Sequence, residues 1–281
     1  MTVIALADRA LLVVSGADAE TFLQAIITTD LGQVAPGEAH DGALLTPQGK
    51  ILFAFLVSRA DDGFVLETRA EEAAALQKRL TLYRLRAAVT LDLQSPAPVA
   101  VSTEPGAGLR DMRFAKAGIT LWRIHGEAAA DAPADPTAYT ALRIRAGLAE
   151  PGDDFALQDA FPHDVLMDRT GGLSFRKGCY VGQEVVSRMQ HRGTARRRVA
   201  LVAGDGADLP APGTALTADG RAVGTLGSVA GGAGLAIVRI DKAGEAIAAG
   251  TAILAGETPV TLALAPWTGL DFPTSAAEAG A

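Results

Sequence analysis

The sequence is poor in the residues that most often carry covalent or metal chemistry: one cysteine, Cys179, and four histidines in 281 residues. A single thiol excludes an intrachain disulfide, and it excludes a metal site built from several cysteines of one chain. Thiol chemistry must therefore run through Cys179 or a partner's sulfur. Aromatic residues are scarce at 5%. No long apolar run is present either. The longest, Ile51-Leu52-Phe53-Ala54-Phe55-Leu56-Val57, falls far short of the roughly 20 residues that a membrane-spanning helix needs, so it reads as a buried strand and implies no bilayer. There is no repeat of fixed period, no glycine loop of the phosphate-cradling kind and no paired-histidine metal motif. The first residues, Met1-Thr2-Val3-Ile4-Ala5, lack the basic and apolar regions of a secretory signal, which predicts a cytoplasmic protein.

What is present suits a globular chain. With 49% apolar and 20% charged residues, it can bury a sizeable core, and its length predicts two or three subdomains. Over residues 11–92 strand and helix patterns alternate. Leu11-Leu12-Val13-Val14 reads as a strand, and Ser15-Gly16-Ala17-Asp18 supplies capping chemistry for a helix with Phe22, Leu23, Ile26 and Ile27 on one face. Turns at Thr46-Pro47-Gln48-Gly49-Lys50 and Asp61-Asp62-Gly63 join three strands into an antiparallel meander. A second helix over 71–86 carries Ala73, Leu76, Leu80 and Tyr83 on one stripe, ahead of a strand at 88–91. Strand-like segments at 99–101 and 119–122, with a proline-containing loop at 128–136, predict a second α+β subdomain. After Arg198, short Val/Leu/Ile runs between glycine turns predict a small β-barrel or sandwich. The expected division is 1–95, an N-terminal α+β subdomain; 96–198, a second one holding the cysteine; 199–270, the barrel; and 271–281, a disordered tail.

The densest chemistry lies at 161–198, around Lys177-Gly178-Cys179-Tyr180-Val181-Gly182-Gln183-Glu184. Val181, Val185 and Met189 are spaced by four, so a helix starting near Val181 buries that stripe and leaves Cys179 just ahead of its first turn. There the thiol faces the positive helix end. With Arg176 and Lys177 alongside, its pKa is expected to fall below the ordinary thiol value, enriching the nucleophilic thiolate. Gly178 and Gly182 allow close backbone approach, and Glu184 can accept hydrogen bonds from a ligand or cap the first turn. The competing expectation is the commoner fate of a lone cysteine, a small buried hydrophobe.

Those eight residues resemble the K-G-C-Y-x-G-Q-E signature of the YgfZ family, folate-binding iron-sulfur assembly factors related to the glycine-cleavage T-protein, together with the mitochondrial assembly factors similar to it. The flanks agree, with Gly171-Gly172-Leu173-Ser174-Phe175 before and Arg192-Gly193 and further basic residues after, and residues 16–57 look like the family's opening. The resemblance implies an α+β fold in which two α+β subdomains and a small C-terminal β-barrel surround a central cleft. It implies a factor that matures or repairs iron-sulfur proteins, with Cys179 as working residue and iron-sulfur carrier or client proteins as partners. A tetrahydrofolate derivative would occupy the cleft, near Lys177, Gly178, Tyr180, Gly182, Gln183, Glu184, Arg192 and Arg145. Iron-sulfur centres usually take four protein ligands, so Cys179 can be only a transient ligand, a mixed-disulfide partner or a repair group, and no permanently bound metal is expected.

Two positions depart from the T-protein pattern. Phe53 stands where an aspartate follows the equivalent of Gly49-Lys50-Ile51-Leu52, and Arg145 stands where a glutamate holds the pterin ring. A carboxylate accepts hydrogen bonds from an aminopterin edge, whereas arginine only donates. Folate-dependent aminomethyl transfer is accordingly the second reading, and a non-catalytic adaptor for a cluster carrier the third. Near Pro162, His163, Asp164 and Asp168 are polar candidates: His163 reads as structural or exposed, and Asp164 and Asp168, four apart, as one helix face or a solvated surface.

Charge is unevenly distributed. Residues 176–198 hold seven Arg or Lys against Glu184, a net +6 in a chain of formal charge −7, so the remainder carries −13. Arg188, Arg192, Arg196, Arg197 and Arg198 suit a folate-like anion or an acidic partner surface. RNA ranks below both, because the cluster has no interleaved aromatics. The plain alternative is a solvated rim of Arg–acid pairs.

Overall fold

The computed structural model describes residues 3–106 and 108–273. It divides into two compact units, Met1–Pro136 with Met167–Gln183, and Thr137–Leu166 with Glu184–Ala281.

The first unit is built on one sheet of nine strands: β1 (Val3–Ala5), β2 (Arg9–Ser15), β3 (Glu38–Leu45), β4 (Ile51–Ala60), β5 (Gly63–Arg69), β6 (Thr90–Gln94), β7 (Val99–Ser102), β8 (Leu109–Asp111) and β9 (Trp122–His125). Their order is β1-β7-β9-β8-β3-β4-β5-β2-β6. The β3-β4-β5 meander is present, with β3 and β4 in register from Ala39↔Ser58. Helices α1 (Ala19–Gln24) and α2 (Ala70–Arg84) bury Phe22 and Leu23, and Ala73, Leu76 and Leu80, against it. Ile26 and Ile27 are also buried, just beyond the end of α1. Phe53 lies in this core, 6% exposed.

Strands 99–125 do not begin a separate body. The sheet passes through β8 into β3, a parallel pair at Glu38↔Arg110, and β1 pairs with β7. Hydrogen bonding thus crosses the boundary expected at 95/96, and the short helices α3 (Met112–Lys116) and α4 (Glu127–Ala130) belong to the same unit. Inside it runs a buried ionic network: Arg123 (β9) bonds Glu67 (β5) and Asp111 (β8, 2.9 Å), and Arg113 also bonds Asp111 at 2.9 Å. Burial pushes the Asp111 carboxyl upward, but Arg113 and Arg123 outweigh it and hold the pKa at about 2.

The second unit contains most of α5 (Pro136–Ala146), most of α7 (Gln183–His191), α8 (Ile240–Ala248) and a closed barrel. The barrel order is β10 (Arg197–Gly204), β13 (Ala233–Arg239), β12 (Arg221–Ala230), β11 (Ala215–Ala218), β14 (Ile253–Ala255) and β15 (Thr258–Ala263). The sandwich alternative is thereby set aside: β10 pairs with both β13 and β15 and closes the ring. Arg143 of α5 is 1% exposed and donates to Asp154 (2.7 Å) and to Ser228 of β12 (2.9 Å). Of the expected tail, Phe272 packs on the barrel core, and 274–281 lie outside the described residues.

Candidate functional site

The cysteine sits in irregular chain that follows α6 (Met167–Thr170) and is stitched to the sheet by threonines. Thr28 Oγ1 donates to the Gly172 carbonyl (2.6 Å) and accepts the Ala43 amide (2.9 Å), while the Ser174 amide donates to the Thr28 carbonyl (2.9 Å). Thr170 Oγ1 donates to the Asp41 carboxylate at 2.9 Å. Gly172 approaches so closely that a Cβ there would lie 2.9 Å from Asp41 Cβ. Ser174 Oγ accepts the amides of Arg176 (3.3 Å) and Lys177 (3.2 Å), which turns the chain into the motif.

Within the motif, buried and exposed side chains divide the work. Lys177 is 8% exposed, and its Nζ donates to the carbonyls of Ile27 and Thr29, both at 2.8 Å. Its ammonium also lies 5.5 Å from the Tyr180 ring. Tyr180 is 7% exposed and donates its hydroxyl to the Ser174 carbonyl at 2.9 Å. Between these anchors Gly178 faces open space and Cys179 is exposed. The buried-hydrophobe expectation therefore fails for this thiol. Gly182, at φ +79°, comes so near the Thr46 carbonyl that a Cβ would sit 2.6 Å from its oxygen, so the close approach expected of it is real.

The titration of the site follows from burial. Burial lowers the Lys177 pKa to about 8, with the Asp30 charge opposing, and raises the Tyr180 phenol above its ordinary range. Burial likewise raises Asp41 to about 6, against the Arg113 charge and the Thr170 hydrogen bond. A cleft of about 400 Å³ opens in the same unit, lined among others by Thr29, Asp30, Gln33, His40, Ser174 and Phe175. His40 Nε2 lies 2.7 Å from Glu38 Oε2. The side chains from Lys177 onward are not part of that lining; Arg176 is.

The expected site residues are divided between the two units. Lys177, Gly178, Cys179, Tyr180, Gly182 and Gln183 fall in the first unit; Glu184, Arg192 and Arg145 fall in the second. Helix α7 starts at Gln183 rather than Val181, and its buried residue is Val186; Val185 and Met189 are half-buried. Glu184 pairs with Arg188 across one turn. Arg197 pairs with Asp159 and Asp164, and Arg198 donates to the His163 carbonyl. Two of the five arginines of the basic cluster, Arg188 and Arg197, are thus in ordinary ion pairs and Arg198 bonds a carbonyl, while Arg192 and Arg196 are exposed. His163 is buried, 3.1 Å from Gln190 Oε1. Asp164 and Asp168 share no helix, because α6 begins only at Met167.

Arg145 is exposed at a groove of about 450 Å³ in the second unit, whose remaining lining is aliphatic apart from Thr261 and Gly234. A pterin edge needs carboxylate acceptors and this groove offers none, so its lining does not fit a folate held in the T-protein manner. The threonines at 28 and 29, Asp30 and His40 went unnoticed in the sequence. The signal was a Thr-Thr-Asp cluster directly after an apolar helix face, which is where a backbone seeking partners for a loop would find them.

Residues 196–270 match the family model for the CAF17 C-terminal beta-barrel domain. The solved structure of the glycine cleavage system aminomethyltransferase T from Bartonella henselae superposes with a TM-score of 0.71 over 95% of this chain and 86% of that one, at 16% identity, a likeness of fold. Fold and site thus define a T-protein-like α+β chain that ends in a six-stranded barrel and presents one thiol outward. Among curated relatives, the human iron-sulfur cluster assembly factor IBA57, mitochondrial, is 32% identical over 83% of this chain and 76% of its own length. The homologue from Pyricularia oryzae is 33% identical over 69% of this chain and 55% of its own. This chain belongs to the IBA57 family of iron-sulfur cluster assembly factors. It spans about half the length of the fungal relatives it matches, 55% and 54% in two cases. The same relatives correct one expectation. They are named mitochondrial, in man and mouse as in fungi, which points to mitochondria rather than the cytoplasm. Absence of a secretory signal carries no information on that choice.

Proposed function

We propose that this chain matures or repairs iron-sulfur proteins, and that Cys179 acts as a transient ligand to a cluster whose other ligands come from a carrier or client protein. The observation that carries this reading is the exposed thiol held between two buried anchors, Lys177 and Tyr180. A loop that flexed freely would lose conformational entropy on meeting a partner's cluster; this one is ordered beforehand. The thiol gives up its proton to solvent and the thiolate bonds iron, leaving when the cluster moves on. The names of the relatives, all assembly factors, support a partner that handles clusters. Kinship with YgfZ rests on the motif and its flanks. No step is routed through a folate, given the lining around Arg145. Aminomethyl transfer lacks its carboxylate, because Phe53 is part of the core.

The test is complementation of a strain lacking this gene, read as the activity of an iron-sulfur enzyme. Cys179→Ser should leave the protein folded and abolish rescue. Full rescue by that variant would refute the proposal and favour an adaptor without thiol chemistry.

A further inference from the structure

Helix α2 has a second face that the core does not use. Ala73, Leu76 and Leu80 turn inward, while Ala75, Lys78, Arg79 and Leu82 on the helix, and Leu85 and Arg86 just past its end, are exposed. Leu82 is 62% exposed and Leu85 89%, two of the three large hydrophobic side chains that stand out among the described residues. Single exposed leucines are ordinary on protein surfaces. These two lie three residues apart, and Leu85 ends the helix at φ 46° and ψ −104°, a left-handed backbone that favours glycine. Its side chain gains no packing in return. A strained position that displays an apolar side chain to solvent is a signal of function.

The charges around the leucines say what covers them. Lys78, Arg79 and Arg86 flank the pair, and none has an ion-pair or hydrogen-bond partner among the described residues. In a chain of formal charge −7, they form a local basic rim. A membrane is the poorer match, since interfacial helices present a long apolar face with Trp or Phe, and this stripe holds two leucines and no aromatic. We propose that the outer stripe of α2 docks an acidic amphipathic helix of another protein. Its apolar side chains cover Leu82 and Leu85, and its carboxylates meet Lys78, Arg79 and Arg86.

The test uses the full chain and a fluorescein-labelled synthetic helix with leucine at helical spacing on a glutamate and alanine background. A scrambled peptide of the same composition and vesicles of phosphatidylglycerol with phosphatidylcholine serve as comparisons. Wild type should bind the helix in preference to the scrambled peptide. Leu82→Ser/Leu85→Ser and Lys78→Glu/Arg79→Glu should each weaken binding by about tenfold or more, the expected consequence of losing buried apolar area or charge pairs, with melting temperatures kept. The proposal is overturned by equal binding of wild type and variants, by failure of wild type to bind the helix, by binding to vesicles in its place, or by self-association that the same variants abolish.

Discussion

Lys177→Met asks whether the lysine of the motif anchors the loop, as the geometry says. The substitution keeps the length and apolar stem of the side chain and removes two hydrogen bonds, to Ile27 and Thr29, whose residues are 0% and 1% exposed. Each carbonyl left without a donor costs about 1–3 kcal/mol. Part of that is offset, because burial already lowers the Lys177 pKa to about 8, which means that sheltering the ammonium is itself unfavourable. The net expectation is a loss of about 2 kcal/mol, or a fall of about 4–8 °C in melting temperature. Amides of 176–182 should exchange with solvent at least about tenfold faster. A pH series isolates the lysine. Between pH 8, its folded pKa, and 10.5, its unfolded value, the unfolded chain binds more protons than the native one, so this group's contribution to stability rises with pH. A neutral amine still has two N–H groups for the two carbonyls. Wild type should therefore gain on the methionine variant across that window. An unchanged melting temperature at pH 7, or a gap that narrows from pH 8 to 10.5, would refute the anchor.

Asp41 carries the opposite sign. Its folded pKa is about 6 against 3.8, so the native state holds the proton more tightly and wild-type stability should fall as pH rises from about 4 to 6. Asp41→Asn keeps an acceptor for Thr170 and should be about 3 kcal/mol more stable than wild type at pH 7, with the difference gone below pH 4; equal melting curves throughout would contradict the assignment. Titration calorimetry with tetrahydrofolate addresses Arg145: wild type should show no micromolar binding and Arg145→Glu should gain it, whereas micromolar binding by wild type would mean that the pterin is held by other groups.

Local patterns in the sequence read well wherever periodicity and packing agree. The β3-β4-β5 meander, the inward stripe of α2 and the barrel follow from alternation, helical spacing and glycine turns, all of which act over a few residues. The grouping of elements did not follow. Nothing near residue 95 shows that β8 will pair in parallel with β3, or β1 with β7, because such pairings are non-local and leave no short-range trace. The buried charges were opaque for the same reason. Arg143 and Arg123 look like any surface arginine until Asp154, Ser228, Glu67 and Asp111 arrive from distant segments. In the cysteine segment the motif suggested a duty for the lysine that the geometry does not bear out. Lysine beside a thiol suggested electrostatic activation; its Nζ is instead committed to two carbonyls.

That reassignment changes what the eight-residue motif means physically. Lys177, Tyr180 and Gly182 are occupied in seating the loop, by two hydrogen bonds, one phenol bond and one backbone approach that only glycine permits. Gly178 and Cys179 are what the seating leaves outside. A ligand-binding signature would direct its polar side chains toward a common volume, and these do not line the neighbouring cleft. The motif is better understood as a device for holding one thiol at the surface in a fixed pose. The two classes of residue should therefore separate in experiment. Changing an exposed side chain with no buried partner alters stability by no more than about 0.5 kcal/mol, so on the proposed function Cys179→Ser should lose function at full stability, while anchor variants should lose stability before the thiol's own chemistry is touched.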